Sequence, residues 1–167
     1  EAGSLLPPFD THAGLLSLPR IFGTRVETVP AAVPYFRVDP DRVARWGARL
    51  ANSQGLRIGL VWAGSPTHKN DHSRSVRLEA FAPLARVRGV NLFSLQRGPQ
   101  AAELTAASFP ITNLEEEGND VLDTAAIMSH LDLVIGVDTM VAHLAGALAR
   151  PTWTLLAYVP DFRWLLE

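Results

Sequence analysis

The sequence contains no cysteine. Disulfides and thiolate metal sites are therefore excluded, and a reducing compartment is permitted. No apolar stretch reaches the length of a membrane span and no secretory signal opens the chain, so a cytoplasmic protein without a transmembrane segment is expected. An excess of charge is missing too. Lys and Arg number 15 against 17 Asp and Glu, for a net charge of -2, and the basic residues are scattered outside one loop. No nucleic-acid partner is expected on that ground. No G-x-G-x-x-G follows any strand pattern, which argues against a nicotinamide dinucleotide site. What is present, 47% hydrophobic and 19% charged residues in a chain of 167, suits one globular domain, or one with an extension, able to bury a sizeable core.

The first 55 residues lack a repeating pattern, and Pro7, Pro8, Pro19, Pro30, Pro34 and Pro40 prevent long helices there. One helix is expected near their end, capped by Asp39 or Asp41, with Pro40 close to its first position and Val43, Trp46 and Leu50 as its apolar face. From residue 57 strand and helix patterns alternate. LRIGLVWAG, VNLFSLQ, ITNL, LVIGVDT and TWTLLA read as strands; LEAFAPLARV, PQAAELTAA, VLDTAAIMSHL and MVAHLAGALA read as helices. Such alternation gives an α/β fold, a parallel sheet with helices on both faces. The expected division is 1–55, an irregular linker segment with one helix, and 56–167, the α/β domain. A start at Glu1 and an end at the apolar WLLE lead to the expectation of a fragment, truncated at its C-terminus, whose cut end exposes apolar surface.

Ligands of open parallel sheets bind outside the carboxyl ends of the strands, here the loops after Gly64, Gln96, Leu114 and Val137. The loop AGSPTHKNDHSRS, residues 63–75, is the densest polar stretch of the chain. Lys69 and Arg74 in it suit a phosphate, one as a mobile point charge and the other as a bidentate fork. A solvated loop is the plain alternative. His68 and His72, four apart, do not make a metal site, because no helix is expected through this stretch and no carboxylate completes a ligand set.

A second anion site is offered where the strand ending at Val137 passes directly into a helix. A helix N-terminus presents unpaired N–H groups and a positive dipole end. Asp138 or Thr139 is expected to cap the helix, leaving the Met140 and Val141 amides and the Thr139 hydroxyl to face a ligand. His143 falls in the first turn, where side chains lean back toward the N-terminus. Gly146 inside this helix reads as a site of close backbone packing.

The run VDTMVAHLAGALARPTW, with GLVWAGSPTHKNDHSRSV, FSLQRGP and PDFRWLL, resembles the C-terminal half of bacterial glycosyltransferases related to the heptosyltransferases, in the variety often joined to tetratricopeptide repeats. FDTHAGLLSLPRIFGT resembles the segment by which those proteins leave their N-terminal lobe, so the likeness covers nearly the whole chain. It implies the C-terminal, Rossmann-like lobe of a GT-B enzyme, which holds a nucleotide-diphosphate-sugar donor as substrate, uses no cofactor or metal, and transfers the sugar with inversion. By position, Asp138, Thr139 and His143 fall at the donor phosphates and sugar, and Lys69 and Arg74 at the diphosphate. Gln96, Glu103, Asp123 and Thr124 are looser candidates for ribose or base. The family usually has glycine after the Asp-Thr pair, whereas this chain has Met140, which crowds the approach to the phosphate.

The acceptor, whether saccharide, lipid or protein, would be chosen by the other lobe of the same protein, which would also supply the base. Asp10 and His12 are the candidates for that base near the boundary, and the chain alone is expected to bind donor without being a complete catalyst. Two rival classes are a non-catalytic nucleotide-binding or scaffold domain and a sugar-nucleotide epimerase. The epimerase would need His68, His72 and a carboxylate among Glu115, Glu116 and Glu117 to face one cleft.

Overall fold

The computed structural model describes residues 8–115 and 120–164 of the chain. These fall into two compact units, Glu1–Ala32 and Val33–Glu167. In the first, a short 3-10 turn, Leu15–Ser17, leads into helix α1, Leu18–Ile21, with Pro19 in its first turn, and a second turn follows at Val26–Thr28. The prolines keep every element there to a turn or so, as expected.

The larger unit opens with helix α2, Pro40–Leu50. The Asp39 carboxylate accepts the Asp41 N–H at 3.0 Å, and Pro40 suits a first turn whose N–H would otherwise be unpaired. Trp46 and Leu50 are buried, with Val43 packed beside them. Helix α2 therefore belongs to the larger unit. It packs against helix α4, Val121–Met128. Asp120 caps α4 by accepting the Leu122 and Asp123 N–H groups, and the Asp123 carboxylate accepts the Asp120 N–H in return.

Five parallel strands form one sheet in the order β3-β2-β1-β4-β5. They are β1 Leu56–Val61, β2 Val90–Ser94, β3 Thr112–Asn113, β4 Leu133–Val137 and β5 Thr152–Leu155. Strand β1 is central, pairing Ile58 with Leu92 on one side and with Leu133 on the other. Alternation along the strands sorts the core into two layers. Val61, Phe93, Leu95 and Val134 pack with α2, α4 and helix α5, Met140–Ala147, while Ile58, Leu60, Trp62, Leu92 and Ile135 pack with Leu78, Phe81 and Leu84. Both faces are thus covered, as expected of a Rossmann-like α/β sheet.

Three sequence expectations need correction. LEAFAPLARV is not an α-helix but two 3-10 turns, Leu78–Phe81 and Leu84–Arg86; Pro83 between them has no N–H with which to continue an α-helical ladder. PQAAELTAA is a 3-10 helix, Pro99–Ala106. The 63–75 loop, whose composition disfavours any helix, contains one α turn, α3, Asp71–Arg74. Among the described residues no helix is long and apolar enough to cross a membrane. Of the apolar WLLE, Leu165 to Glu167 lie outside the described residues.

Candidate functional site

The carboxyl ends of β1, β2 and β4 open onto a cleft of about 460 Å³. Its walls come from Ala63 to Pro66 after β1, from Arg97 to Gln100 after β2, and from the Thr139 to Val141 start of α5. The sheet order places these three loops side by side because β1 lies between β2 and β4. That is where an open parallel sheet leaves room for a ligand.

Thr139 takes the N-cap position of α5 in extended conformation, yet neither it nor any other side chain makes a capping hydrogen bond. The expected side-chain cap by Asp138 or Thr139 is therefore absent. Thr139 Oγ1 is buried and has no hydrogen-bond partner. Asp138 turns the other way. Its carboxylate lies 3.5 Å from His143 Nε2, which leans back along the helix as first-turn side chains do. The His143 ring also stacks on Trp164, with centroids 5.0 Å apart and planes at 16°. Gly146, read as a site of close packing, has nothing within 4 Å of where a Cβ would stand, so that reading is corrected.

Arg74 reaches this helix start from α3. Its Nε donates to Asp71 Oδ1 at 3.1 Å and its Nη1 to the Asp138 carbonyl at 3.0 Å. Space for the guanidinium exists because residue 64 is glycine: a Cβ there would overlap Arg74 Nη2 and lie 2.6 Å from Asp71 Oδ1. Arg74 lines a second, more polar cleft as well, of about 320 Å³, together with His68, Asp138, Asp161 and Arg163. Hydrogen bonds from the Arg163 side chain and backbone hold the Asp161 carboxyl below its ordinary range, and it is charged at neutral pH.

The structure thus brings together Arg74, Thr139, Met140 and Val141 on one cleft, and Arg74 with Asp138 on the other. Met140, 49% exposed, stands at the mouth of the larger one. Other residues singled out from the sequence are occupied elsewhere. Lys69 is exposed on its loop and lines neither cleft. The Gln96 amide is spent on the strand ends, accepting the Trp62 and Ala63 N–H groups and donating to the Ala63 and Arg97 carbonyls. Glu103 accepts the Leu78 N–H at 2.9 Å.

Asp123 accepts from Trp46 Nε1 and Arg45, and Thr124 Oγ1 donates to Glu115 Oε1 at 2.6 Å. Burial would raise the Asp123 carboxyl, but hydrogen bonds from Trp46 and the Asp120 amide, with the charges of Arg42 and Arg45, bring it below its ordinary value. Asp10 and His12 belong to the smaller unit, where His12 meets Phe9 edge to face. Of the epimerase residues, His68 lines the smaller cleft, His72 is exposed and Glu115 pairs with Arg97. Glu116 and Glu117 lie outside the described residues. Among the described residues no group of three His, Asp or Glu side chains is arranged to hold a metal.

Sequence reasoning missed Arg97, Asp161 and Arg163. The last two stand in PDFRWLL, where Asp161 accepts the Arg163 N–H and Nε of a local turn. An Asp-x-Arg pair after the last strand was the available signal.

Compared with known proteins, the chain matches the family Glycosyltransferase family 9 (heptosyltransferase) over residues 100–164. It is also similar to Protein FlbA of Caulobacter vibrioides (strain ATCC 19089 / CIP 103742 / CB 15), 29% identical over 136 residues, which are 77% of this chain and 23% of that protein. The chain spans about a quarter of the length of that relative. No solved structure matches the chain.

Proposed function

We propose that this chain is the donor-binding lobe of a glycosyltransferase that uses a nucleotide-diphosphate sugar. The observation that carries the reading is the position of Arg74. It is shared by both clefts and lies against the start of α5, where Thr139 Oγ1 is buried without a partner. A buried hydroxyl left unpaired costs about 1–3 kcal/mol, which a ligand oxygen would recover. A diphosphate seated on Arg74, the Thr139 hydroxyl and the first amides of α5 would lie where the clefts meet. The nucleoside then extends into the larger, more apolar cleft and the sugar into the smaller polar one, beside Asp138 and Asp161. The match to the heptosyltransferase family over residues 100–164 supports reading the chain as part of a glycosyltransferase.

In the reaction, an acceptor hydroxyl oxygen attacks the anomeric carbon from the face opposite the diphosphate. The carbon–oxygen bond to the diphosphate breaks, and the nucleoside diphosphate leaves with the electron pair. A base takes the acceptor's proton. Inversion follows from attack opposite the leaving group. The charge developing on the leaving oxygen is met by the Arg74 guanidinium and the α5 N-terminus, the work a divalent cation would otherwise do. Acceptor and base lie with a second lobe, Asp10 and His12 being the candidates for the base in this chain.

Calorimetric titration with UDP, GDP and ADP, with and without magnesium, tests the reading. One diphosphate should bind without metal, and Arg74→Ala should weaken it by about tenfold or more, the worth of a charged hydrogen bond. A folded chain that binds none of them would sink it.

A further inference from the structure

Asp71 and Arg74 are the first and last residues of α3, a single turn in a loop whose composition disfavours a helix. The turn sets the two side chains three residues apart, within reach of each other. Arg74 Nε donates to Asp71 Oδ1 at 3.1 Å, and Nη1 donates to the Asp138 carbonyl at 3.0 Å. The guanidinium is thus gripped at two edges of its plane, once from its own turn and once from the residue that follows β4. The side chains of Arg74 and Asp71 are 20% and 14% exposed, so solvent screens the pair less than it would on the open surface. The loop is tied at both ends as well, Ser75 Oγ accepting the Gly64 N–H at 3.0 Å and the Trp62 carbonyl accepting the Val76 N–H at 2.8 Å.

One part of the guanidinium is left over. Nη2 makes no hydrogen bond among the described residues. It lies against Gly64, and both residues line the larger cleft. Asp71 lines neither cleft. We infer that Asp71 is a positioning residue, which holds the Arg74 guanidinium in the orientation that offers Nη2 to a phosphate and does not itself touch the ligand. An arginine free to rotate has to be immobilised when a ligand binds, whereas here the folded chain presents a fork already fixed. By charge alone a carboxylate beside an anion site weakens anion binding. What Asp71 contributes is therefore an acceptor in the right place, and a neutral acceptor there would serve as well or better. This inference rests on the reading of Arg74 as a phosphate ligand and adds to it what keeps Arg74 in place.

The test compares Asp71→Ala with Asp71→Asn in calorimetric titrations of this chain with inorganic pyrophosphate and with UDP, GDP and ADP. Asp71→Asn should bind as tightly as wild type or more tightly. Asp71→Ala should bind about three- to tenfold more weakly than Asp71→Asn, the loss that goes with immobilising one long side chain. In an Arg74→Ala background the two substitutions should be equivalent. Nitrogen-15 NMR reads the same contact without ligand: the Arg74 Nε–H signal, identified by its loss in Arg74→Ala, should exchange slowly with water in wild type and Asp71→Asn and faster in Asp71→Ala. Equal binding by Asp71→Ala and Asp71→Asn overturns the inference and leaves the donor site standing. A difference between them that persists without Arg74 also overturns it, by tracing the loss to α3 as a whole. If Arg74→Ala binds too weakly to measure, the exchange rate decides, and an Arg74 Nε–H unaffected by Asp71→Ala overturns the inference. A folded wild-type chain that binds neither pyrophosphate nor any of the nucleotides overturns this reading and the donor site together.

Discussion

Replacing Thr139 by valine separates binding from folding at a single atom. The hydroxyl is buried, has no partner and makes no cap bond, so the folded state bears its desolvation without return. Valine keeps the branched shape and puts a methyl group in its place. Removing an unsatisfied buried group is worth about 1 kcal/mol or more, and the N-cap position loses no side-chain bond. Stability should therefore hold or rise by about that amount, a melting temperature higher by about 3 °C for a chain of this size. The same change removes a hydrogen bond to a charged phosphate oxygen, about 1.5–3 kcal/mol, so the nucleoside diphosphate should bind at least about tenfold more weakly. Thermal denaturation of the free chain and calorimetry with the preferred diphosphate measure the two effects independently. A variant that melts lower than wild type would show that the hydroxyl serves the fold. One that binds with undiminished affinity would remove Thr139 from the site.

Gly64→Ala should displace the Arg74 guanidinium, the movable partner in the overlap. It should cost about 1 kcal/mol or less in stability, since the fold gives up no more than a partly exposed ion pair and its hydrogen bond, while diphosphate affinity falls toward that of Arg74→Ala; wild-type affinity in the alanine variant would refute this. Gly146→Ala should raise stability by about 0.5–1 kcal/mol in denaturant titrations, because the position is helical and open, and a loss would mean that the glycine has a packing role. Asp120 is held below its ordinary range by the Asp123 amide hydrogen bond and by Arg42, and Asp123 by the hydrogen bonds and arginines already described. Both carboxyls titrate lower folded than unfolded, so their stabilisation is complete above the ordinary carboxylate range and is lost as the pH falls through the depressed folded values. Circular dichroism followed into acid should show a shallower loss for Asp123→Asn; an unaltered acid limb would refute the assignment.

The parts of this fold that could be read from residues are those set by local chemistry. Asp39 and Pro40 announce α2, and the β-branched run before Asp138 announces a buried strand that turns directly into a helix. His143 leaning back to Asp138 follows from its place in the first turn. What escaped was decided by partners far away in sequence. Gln96 stands at a strand end, where a ligand contact was a fair expectation, but its amide meets Trp62 and Ala63, more than thirty residues back. The sequence offers Thr124 for ribose or base and Glu115 for an epimerase cleft, but the fold joins the two to each other and sets Glu115 beside Arg97. At Pro83 the error had a local cause, since an apolar period of helical spacing outweighed a residue that prevents the helix. The end of α5 shows the converse. No glycine marks it, yet Ala149 takes the left-handed conformation with φ 55°, a position that glycine or asparagine would ordinarily hold.

The way Gln96 is spent shapes what the cleft can recognise. Its amide takes up two N–H groups and two carbonyls at the point where β1 and β2 end, which ties the loop after β1 to the loop after β2. A molecule arriving there finds those backbone groups already engaged. The polar features of its lining include the Arg74 and Arg97 guanidinium groups and the start of α5, all of which present hydrogens. The cleft therefore sorts its visitors by their supply of lone pairs.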